Sequence, residues 1–260
     1  MNLFILTDLE GIAGVDSILH MDRGREEYAV ARAALTRSLN LAIATAIDCG
    51  AERVYYLDGH GGGGNLLDGE VDMRAEKCTI AEWQELLRGG AIDCQIELGA
   101  HTRAGTVGGF LDHTLSSVSI FHVKVNGREM SEVALHAALC GAYGVPIAAV
   151  LGDEAACRQA KEYLPGVAVG ALKVASCRNR AKTYADADAV LEKTVAAALA
   201  SYRDIPPFTV GGPCEVEYCF YRTDMCEDAM KRNGDTVTRT DARTLKKTVA
   251  EIRRYEDLRI

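Results

Sequence analysis

The chain has 260 residues, of which 48% are hydrophobic, so it is long enough and apolar enough to bury a substantial core. Its 37 acidic residues outnumber its 29 basic ones, and the resulting net charge of -8 argues against a protein that neutralises nucleic-acid phosphates. No apolar run approaches the roughly 18 residues of a membrane-spanning helix, and the nine cysteines include no C-x-x-C pair. We therefore expect a soluble, cytoplasmic protein with reduced cysteines and with no nucleic-acid or membrane partner.

The first part of the chain alternates strand and helix patterns. The apolar run LFILT (3–7) predicts a strand, and apolar residues at four-residue spacing from Leu35 to Ile47 predict a helix that closes at Gly50. RVYYL (53–57) then predicts a second strand, which is typical of a right-handed parallel strand–helix–strand unit. The alternation continues with predicted helices at 80–87, 131–144 and 153–164 and predicted strands at 94–98, 118–129 and 145–152.

This alternation predicts the α/β class, with a doubly wound, mostly parallel sheet in residues 1–204. An alanine-rich helix is predicted over about 181–203, and the segment RDIPPFTVGGP that follows is the clearest composition break in the chain. Residues 205–260 are predicted to form a smaller α+β C-terminal domain. Its predicted elements are a strand at CEVEYCFY, a short helix, a short strand at TVTRT and a final helix through ARTLKKTVAEIRRYE.

Side chains that could bind a metal follow each of the first three predicted strands. Because the carboxyl ends of parallel strands meet at one edge of a sheet, we expect these groups to converge there. Carboxylates supply charged oxygens, and imidazoles select a borderline-soft ion such as zinc. Two ions about 3.5–4 Å apart, bridged by a carboxylate placed like Asp8, could activate a shared water for hydrolysis. The residues are Asp8 and Glu10 after the first strand, Asp58 and His60 after the second and His101 after the third, with His113, Glu132 and His136 just beyond.

Other interpretations of these residues stay open at this point. Asp8 and Glu10 could be solvated loop residues, and the glycine-rich segment GHGGGGN could cradle a phosphate, although it lacks the Lys-Ser/Thr of a P-loop. His136 lies one helical turn after Glu132, so it could support a metal ligand without being one.

Five segments, taken in order, resemble the zinc D-aminopeptidases of the dipeptide-permease type, the DppA-like metallopeptidases. They are TDLEGIAGV, DGHGGGGNLL, GAHTRAGT, DHT and SEVALHAALCGAYGVPIAAVLGDEAA, and they span most of the first 155 residues. The resemblance implies a cytoplasmic peptidase with two zinc ions per subunit, assembled as a ring-stacked decamer that encloses its active sites. It also implies Asp8 as the bridging ligand, with the remaining positions of the two zinc shells filled by Glu10, His60, His101 and Glu132.

The resemblance further implies that His113 is the catalytic histidine. The family treats this residue as a nucleophile, but an activated water already supplies one, so we expect His113 to act on a proton or to stabilise the oxyanion. Two features depart from the family pattern. The segment from His101 to His113 is one residue longer, and four glycines follow His60 in place of bulkier residues, so we expect a looser pocket wall there.

The sequence therefore predicts a dinuclear zinc aminopeptidase that removes the N-terminal residue, which could be a D-amino acid, from short peptides or aminoacyl amides. One alternative is a related metal-dependent amidohydrolase that acts on a non-peptide amide. The other is a metal- or nucleotide-binding regulator without turnover, a function that loss of ligand residues would favour, and every expected ligand is present.

Overall fold

The structure is a computed structural model that describes residues 1–260. Twelve strands and six α-helices make up the chain, and no helix is long and apolar enough to cross a membrane. The strands are β1 (Asn2–Thr7), β2 (Arg53–Asp58), β3 (Ala75–Lys77), β4 (Cys94–Ala100), β5 (Ile120–Val125), β6 (Arg128–Met130), β7 (Ile147–Asp153), β8 (Ala168–Cys177), β9 (Arg180–Thr183), β10 (Cys214–Phe220), β11 (Thr238–Arg239) and β12 (Thr244–Val249). The helices are α1 (Glu26–Asp48), α2 (Ile80–Arg88), α3 (Glu132–Gly141), α4 (Glu154–Tyr163), α5 (Ala187–Ser201) and α6 (Thr223–Asn233).

Seven strands form the main sheet, in the order β3-β2-β1-β4-β7-β8-β9. All its pairings are parallel except the last, between β8 and β9. The chain moves outward from β1 to β3 and then returns to the other side of β1 with β4, so the strand order reverses between β1 and β4. Ligand sites in open α/β sheets lie outside the carboxyl ends of the strands at such a reversal. The predicted doubly wound, mostly parallel sheet is confirmed.

The second sheet has five antiparallel strands in the order β11-β12-β10-β5-β6. It joins the C-terminal strands to the β5–β6 hairpin, which lies between β4 and α3 in the chain. The predicted division after residue 204 therefore does not coincide with a boundary between sheets, and two domains at 1–204 and 205–260 stay a prediction.

The main sheet is buried on both faces, as parallel sheets usually are. Successive residues of β1 point to opposite sides, so Leu3 and Ile5 join one core cluster while Phe4 and Leu6 join the other. The first cluster packs α1 and α5 against the sheet. The second continues through α3 into the apolar side of the five-stranded sheet, which fixes that sheet against the main one.

Three segments differ from the sequence predictions. The helix predicted from 181 begins only at Ala187, because residues 180–183 are β9 and pair with β8. Strand β8 itself was not predicted. The final helix predicted through ARTLKKTVAEIRRYE is wrong, because β12 pairs with β10 and only a short 3-10 turn (Tyr255–Leu258) follows it. In both segments, pairing with another strand overrides the local helical preference: β9 forms a tight hairpin with β8, and β12 pairs with the more distant β10.

Candidate metal centre

The loop after β1 carries two of the predicted ligands and lies directly against the end of β4. The backbone N–H of Asp8 donates to the carbonyl of Leu98 at 2.8 Å, and that of Gly11 donates to Gly99 at 2.7 Å. This approach requires glycine at residue 99, where φ is +91° and an added Cβ would lie 2.0 Å from the carbonyl oxygen of Asp8. The loop thereby holds Asp8 and Glu10 next to the residues that follow β4.

His60 follows β2 at the start of a glycine turn. All four glycines of Gly61–Gly64 have positive φ, a run of conformations that other residues rarely adopt. Asn65 closes the turn, since its side-chain amide donates to the carboxylate of Asp58 at 2.9 Å and to the carbonyl of His60 at 2.6 Å. Asp58, which the sequence offered as a possible oxygen ligand, is thus occupied in holding the turn.

His101 follows β4 and faces Glu132, the first residue of α3. The side chain of Ser131 caps this helix and fixes where Glu132 begins it. Nε2 of His101 lies 3.2 Å from Oε1 of Glu132 and 3.3 Å from Oδ2 of Asp8. Nδ1 of His101 donates to the carbonyl of Thr102, so the lone pair of the neutral imidazole lies on Nε2.

His113 stacks on His101, with ring centroids 4.0 Å apart and ring planes 6° from parallel. Nδ1 of His113 donates to the carbonyl of Leu111, so Nε2 faces the carboxylates, 3.7 Å from Glu132 and 4.0 Å from Glu10. These distances are too long for hydrogen bonds. The additional residue between His101 and His113 has therefore not carried His113 away from the other groups.

The six side chains form two groups that Asp8 connects. In one, ligand atoms of Asp8, Glu10 and His60 all lie within 4.8 Å of one another, and in the other the same holds for His101, His113 and Glu132. Oδ1 of Asp8 is 3.1 Å from Nδ1 of His60, whereas its Oδ2 is turned towards His101. Asp8 thus offers one oxygen to each group, which is the arrangement of a bridging carboxylate.

The electrostatics of the two groups favour a positive charge. Burial alone would lower the pKa of His60, but the carboxylates of Glu10 and Asp8 outweigh it and raise this pKa to about 11. Burial likewise disfavours charge on His101, yet Glu132 and Asp8 hold its pKa well above the usual value. Burial would raise the pKa of Glu132, and His101 outweighs this effect and lowers it to about 2. The carboxylates of Asp8, Glu10 and Glu132 thus make both groups favourable places for positive charge.

The residues fit a metal ion. Nε2 of His101 is fully buried and forms no hydrogen bond, although two carboxylate oxygens lie at ion-pair distance. A buried imidazole nitrogen without a hydrogen bond is costly unless it has another partner. Three carboxylates and three imidazoles with oriented nitrogens form a donor set suited to zinc.

A cleft of about 630 Å³ lies over the two groups. Asp8, Glu10, His60, His113 and Glu132 all line it, so a molecule in the cleft reaches both groups. Gly61 and Gly62 form part of the wall and contribute no side chains to it.

A buried polar network behind the site was largely missed by sequence reasoning. His136, one turn after Glu132, places Nδ1 at 3.2 Å from Oε2 of Glu97, and Gln95 donates to Oε1 of Glu97 at 2.7 Å. Trp83, to which the sequence assigned no chemistry, donates its indole N–H to Gln95 at 2.9 Å. The signal was present in CQIEL, where two polar residues alternate with apolar ones in a strand that is wholly buried.

An α/β fold that gathers carboxylates and histidines at the point where its strand order reverses is typical of metal-dependent hydrolases. A family model described as D-aminopeptidase matches residues 1–257, and the chain belongs to this family. It is therefore a peptidase of the aminopeptidase type, as the sequence predicted.

The chain is similar in sequence to a known D-aminopeptidase and in structure to a solved one. A D-aminopeptidase of Bacillus subtilis (strain 168) is 29% identical over 219 residues, which are 80% of this chain and 77% of that protein. The solved structure of the Zn-dependent D-aminopeptidase DppA from Bacillus subtilis, described as a self-compartmentalizing protease, has a TM-score of 0.90 and 25% identity, covering 97% of this chain and 93% of that one.

Proposed function

We propose that this chain is a dinuclear zinc aminopeptidase that releases the N-terminal residue, a D-amino acid, from short peptides or aminoacyl amides. The observation that carries the proposal is the placement of Asp8, with one carboxylate oxygen directed at each group of candidate ligands. Asp8 would bridge the two ions. Glu10 and His60 would complete one shell, and His101 and Glu132 the other.

Zinc bound there would activate a water molecule and polarise the scissile carbonyl. The chain's own residues would then supply orientation and proton transfer. His113 has its Nδ1 fixed by a backbone carbonyl and directs Nε2 into the cleft, so it can pass a proton at the reacting atoms or donate to a developing oxyanion. Leu115 donates its backbone N–H to Glu132 at 2.8 Å and holds that carboxylate in place.

Assembly into a homo-oligomer, with a decamer as the specific form, is also proposed. The similarity to a structure described as self-compartmentalizing supports it. So does the exposure of large apolar side chains, among them Met73 at 97% and Val107 at 93%. We further propose a cytoplasmic location, in line with nine cysteines that form no disulfide.

The test is to measure zinc content and hydrolysis of D-aminoacyl dipeptides for the Asp8→Asn variant. A neutral amide is a poor bridge between two cations, so we expect loss of at least one zinc per subunit and a fall in kcat/KM of at least about 10³-fold. Asp228→Asn, an exposed carboxylate on α6, is the matched control and should change neither value. Full zinc content and activity in Asp8→Asn would refute the dinuclear site.

A further inference from the structure

A second, smaller cavity of about 50 Å³ adjoins the cleft at the candidate metal centre. The two spaces share Asp8 and Glu132 as lining residues, together with Gly59, Ile80 and Tyr255. From there the small cavity runs inward along α3, between apolar walls that include Leu6, Leu57, Trp83 and Val133. It is therefore a side pocket that begins at the ligands and ends inside the protein.

The inner part of this side pocket is polar. His136 and Glu97 both line it and are only 7% and 3% exposed. Both oxygens of Glu97 are engaged, one by His136 and the other by Gln95. The ring of His136 is further held by the edge-on ring of Trp83, with centroids 5.8 Å apart.

Nε2 of His136 has no hydrogen-bond partner in the protein, since the only polar contact of the ring is made through Nδ1. This nitrogen is not fully buried, so a molecule in the side pocket can reach it. The imidazole of His136 is thus held in place through Nδ1 and can form a hydrogen bond to a ligand through Nε2. The proposed zinc chemistry does not use this nitrogen.

The size and polarity of the side pocket limit what can enter it. A water molecule needs about 10–15 Å³ of such space, so the pocket holds a group of roughly three or four heavy atoms. Aromatic and long cationic side chains are too large. An acidic side chain would meet the carboxylates of Glu97, Asp8 and Glu132. A hydroxyl both donates and accepts, so it can pair with Nε2 of His136 whether or not that nitrogen carries a proton.

We propose that this side pocket receives the side chain of the substrate's N-terminal residue, and that His136 makes the enzyme prefer a short hydroxyl-bearing side chain, that of serine or threonine. The inference rests on the proposed function. A scissile carbonyl bound to zinc at Asp8 and Glu132 would place the side chain of the same residue at the entrance of the pocket. Glu97 acts as a positioning residue, because it fixes the ring of His136 through Nδ1.

The experiment compares nearly isosteric substrates, D-Thr-Gly with D-Val-Gly and D-Ser-Gly with D-2-aminobutyryl-Gly, on the zinc-loaded wild-type protein. We expect kcat/KM to favour the hydroxyl member of each pair by about 5- to 30-fold, the effect of one hydrogen bond in a dry site. D-Phe-Gly should be cleaved at least about 100-fold more slowly than D-Ser-Gly, because its ring cannot enter. Equal or reversed preference within the pairs would overturn the proposal without the use of any variant.

Substitution of His136 tests whether this residue causes the preference for a hydroxyl-bearing side chain. In His136→Leu the ratio of kcat/KM for D-Thr-Gly to kcat/KM for D-Val-Gly should fall to about one. This change leaves one oxygen of the buried Glu97 carboxylate without a partner, which could prevent folding. The double variant Glu97→Gln with His136→Leu removes that buried charge and is measured if the single variant does not fold. His122→Leu, on β5 and outside both cavities, is the matched control and should keep the wild-type ratio. An unchanged ratio in folded His136 variants would overturn the proposal.

A binding measurement separates this inference from the proposed function. Titration calorimetry with the free amino acids D-threonine and D-valine should show about 5- to 30-fold tighter binding of D-threonine to the wild-type protein and no difference in His136→Leu. If no D-aminoacyl peptide is hydrolysed, the proposed function fails, and the calorimetry still decides the side pocket. If peptides are hydrolysed but the two amino acids bind equally, the side-pocket proposal alone fails.

Discussion

At the scale of single residues, the candidate site depends on which nitrogen of each imidazole is free. His101 and His113 both use Nδ1 on backbone carbonyls, so their Nε2 atoms face the carboxylates. His60 differs, because its Nδ1 lies within 3.1 Å of both Asp8 and Glu10. The histidine of the first group therefore directs Nδ1 at the carboxylates, whereas the two histidines of the second group direct Nε2 at them. Of the three histidines, His113 lies farthest from the carboxylates, at 3.7 and 4.0 Å. Its role in proton transfer can therefore be tested separately from metal binding.

We predict that His113→Ala keeps its zinc but loses turnover. If His113 acts on a proton or an oxyanion, kcat should fall by about 10²–10⁴-fold with little change in zinc content. The measurement is metal content and steady-state kinetics on one preparation, with circular dichroism to check the fold and His122→Ala as the control. Because His113 lies at ligand distance from His101 and Glu132, loss of one zinc would instead assign it to the metal shell.

A second residue-scale feature is Lys173, which is fully buried on β8. Its ammonium donates to the carbonyl of Val15, lies 4.5 Å from the ring centroid of Phe110 and so holds the end of the β1 loop to the sheet. Burial is the largest influence on this group, and it outweighs the nearby charges of Asp16, Asp153 and Glu10. The pKa of Lys173 is therefore lowered to about 7.

This low pKa predicts a pH dependence of stability. Between about pH 7 and pH 10 the unfolded chain keeps the proton on Lys173 while the folded protein has lost it, so the unfolded state binds more protons. Stability should therefore rise with pH, by at most about 1.4 kcal/mol per pH unit from this group. Urea unfolding at several pH values should show that Lys173→Met lacks this contribution. Parallel pH curves for the two proteins would contradict the prediction.

At the scale of elements, the site depends on how closely the β1 loop approaches the end of β4. Gly99→Ala would drive a Cβ to 2.0 Å from the carbonyl oxygen of Asp8 at a positive φ, so the loop would have to move. We expect a loss of more than about 4 kcal/mol in unfolding free energy, or a folded protein that no longer retains zinc. Gly50→Ala is a matched control, because φ there is +88° but no atom lies within 4 Å of an added Cβ. Gly50→Ala should lower the unfolding free energy by only about 1–2 kcal/mol. Equal losses of unfolding free energy in both variants would contradict the role of close packing at Gly99.

Element order also explains how far the sequence could predict this molecule. The parallel strands and their helices were predictable because each carries its own pattern of apolar spacing, and the candidate ligands follow those strands directly. β12 was not, because Leu245 and Val249 have helical spacing and only the partner strand β10 makes the segment extended. The Glu97–His136 pair was missed for a related reason. CQIEL indicates that Glu97 is a buried polar residue, but its partner His136 is identified only when α3 packs over β4.

At the scale of the whole molecule, two sheets that share one of the two core clusters hold the site from different sides. The main sheet supplies the loops after β1, β2 and β4, while the β5–β6 hairpin of the second sheet leads directly into α3 and Glu132. Tyr255, beyond the last strand of the second sheet, lines both cavities. The C-terminal residues therefore complete the site, and a fragment that ends at residue 204 would lack both Tyr255 and the strand that pairs with β5.

The proposed assembly gives the last prediction. A cleft of about 630 Å³ that is open on a monomer would become enclosed if neighbouring subunits covered its rim, where Val118 is 75% exposed. We expect light scattering of the native protein to give a mass many times the 28.0 kDa of one chain. The same column fractions should be assayed for hydrolysis of D-aminoacyl dipeptides. Activity should follow the large species, and dilution that releases monomers should lower it because isolated subunits lose the enclosing walls. A monomer with full specific activity would exclude the enclosed chamber while leaving the chemistry at Asp8 untouched.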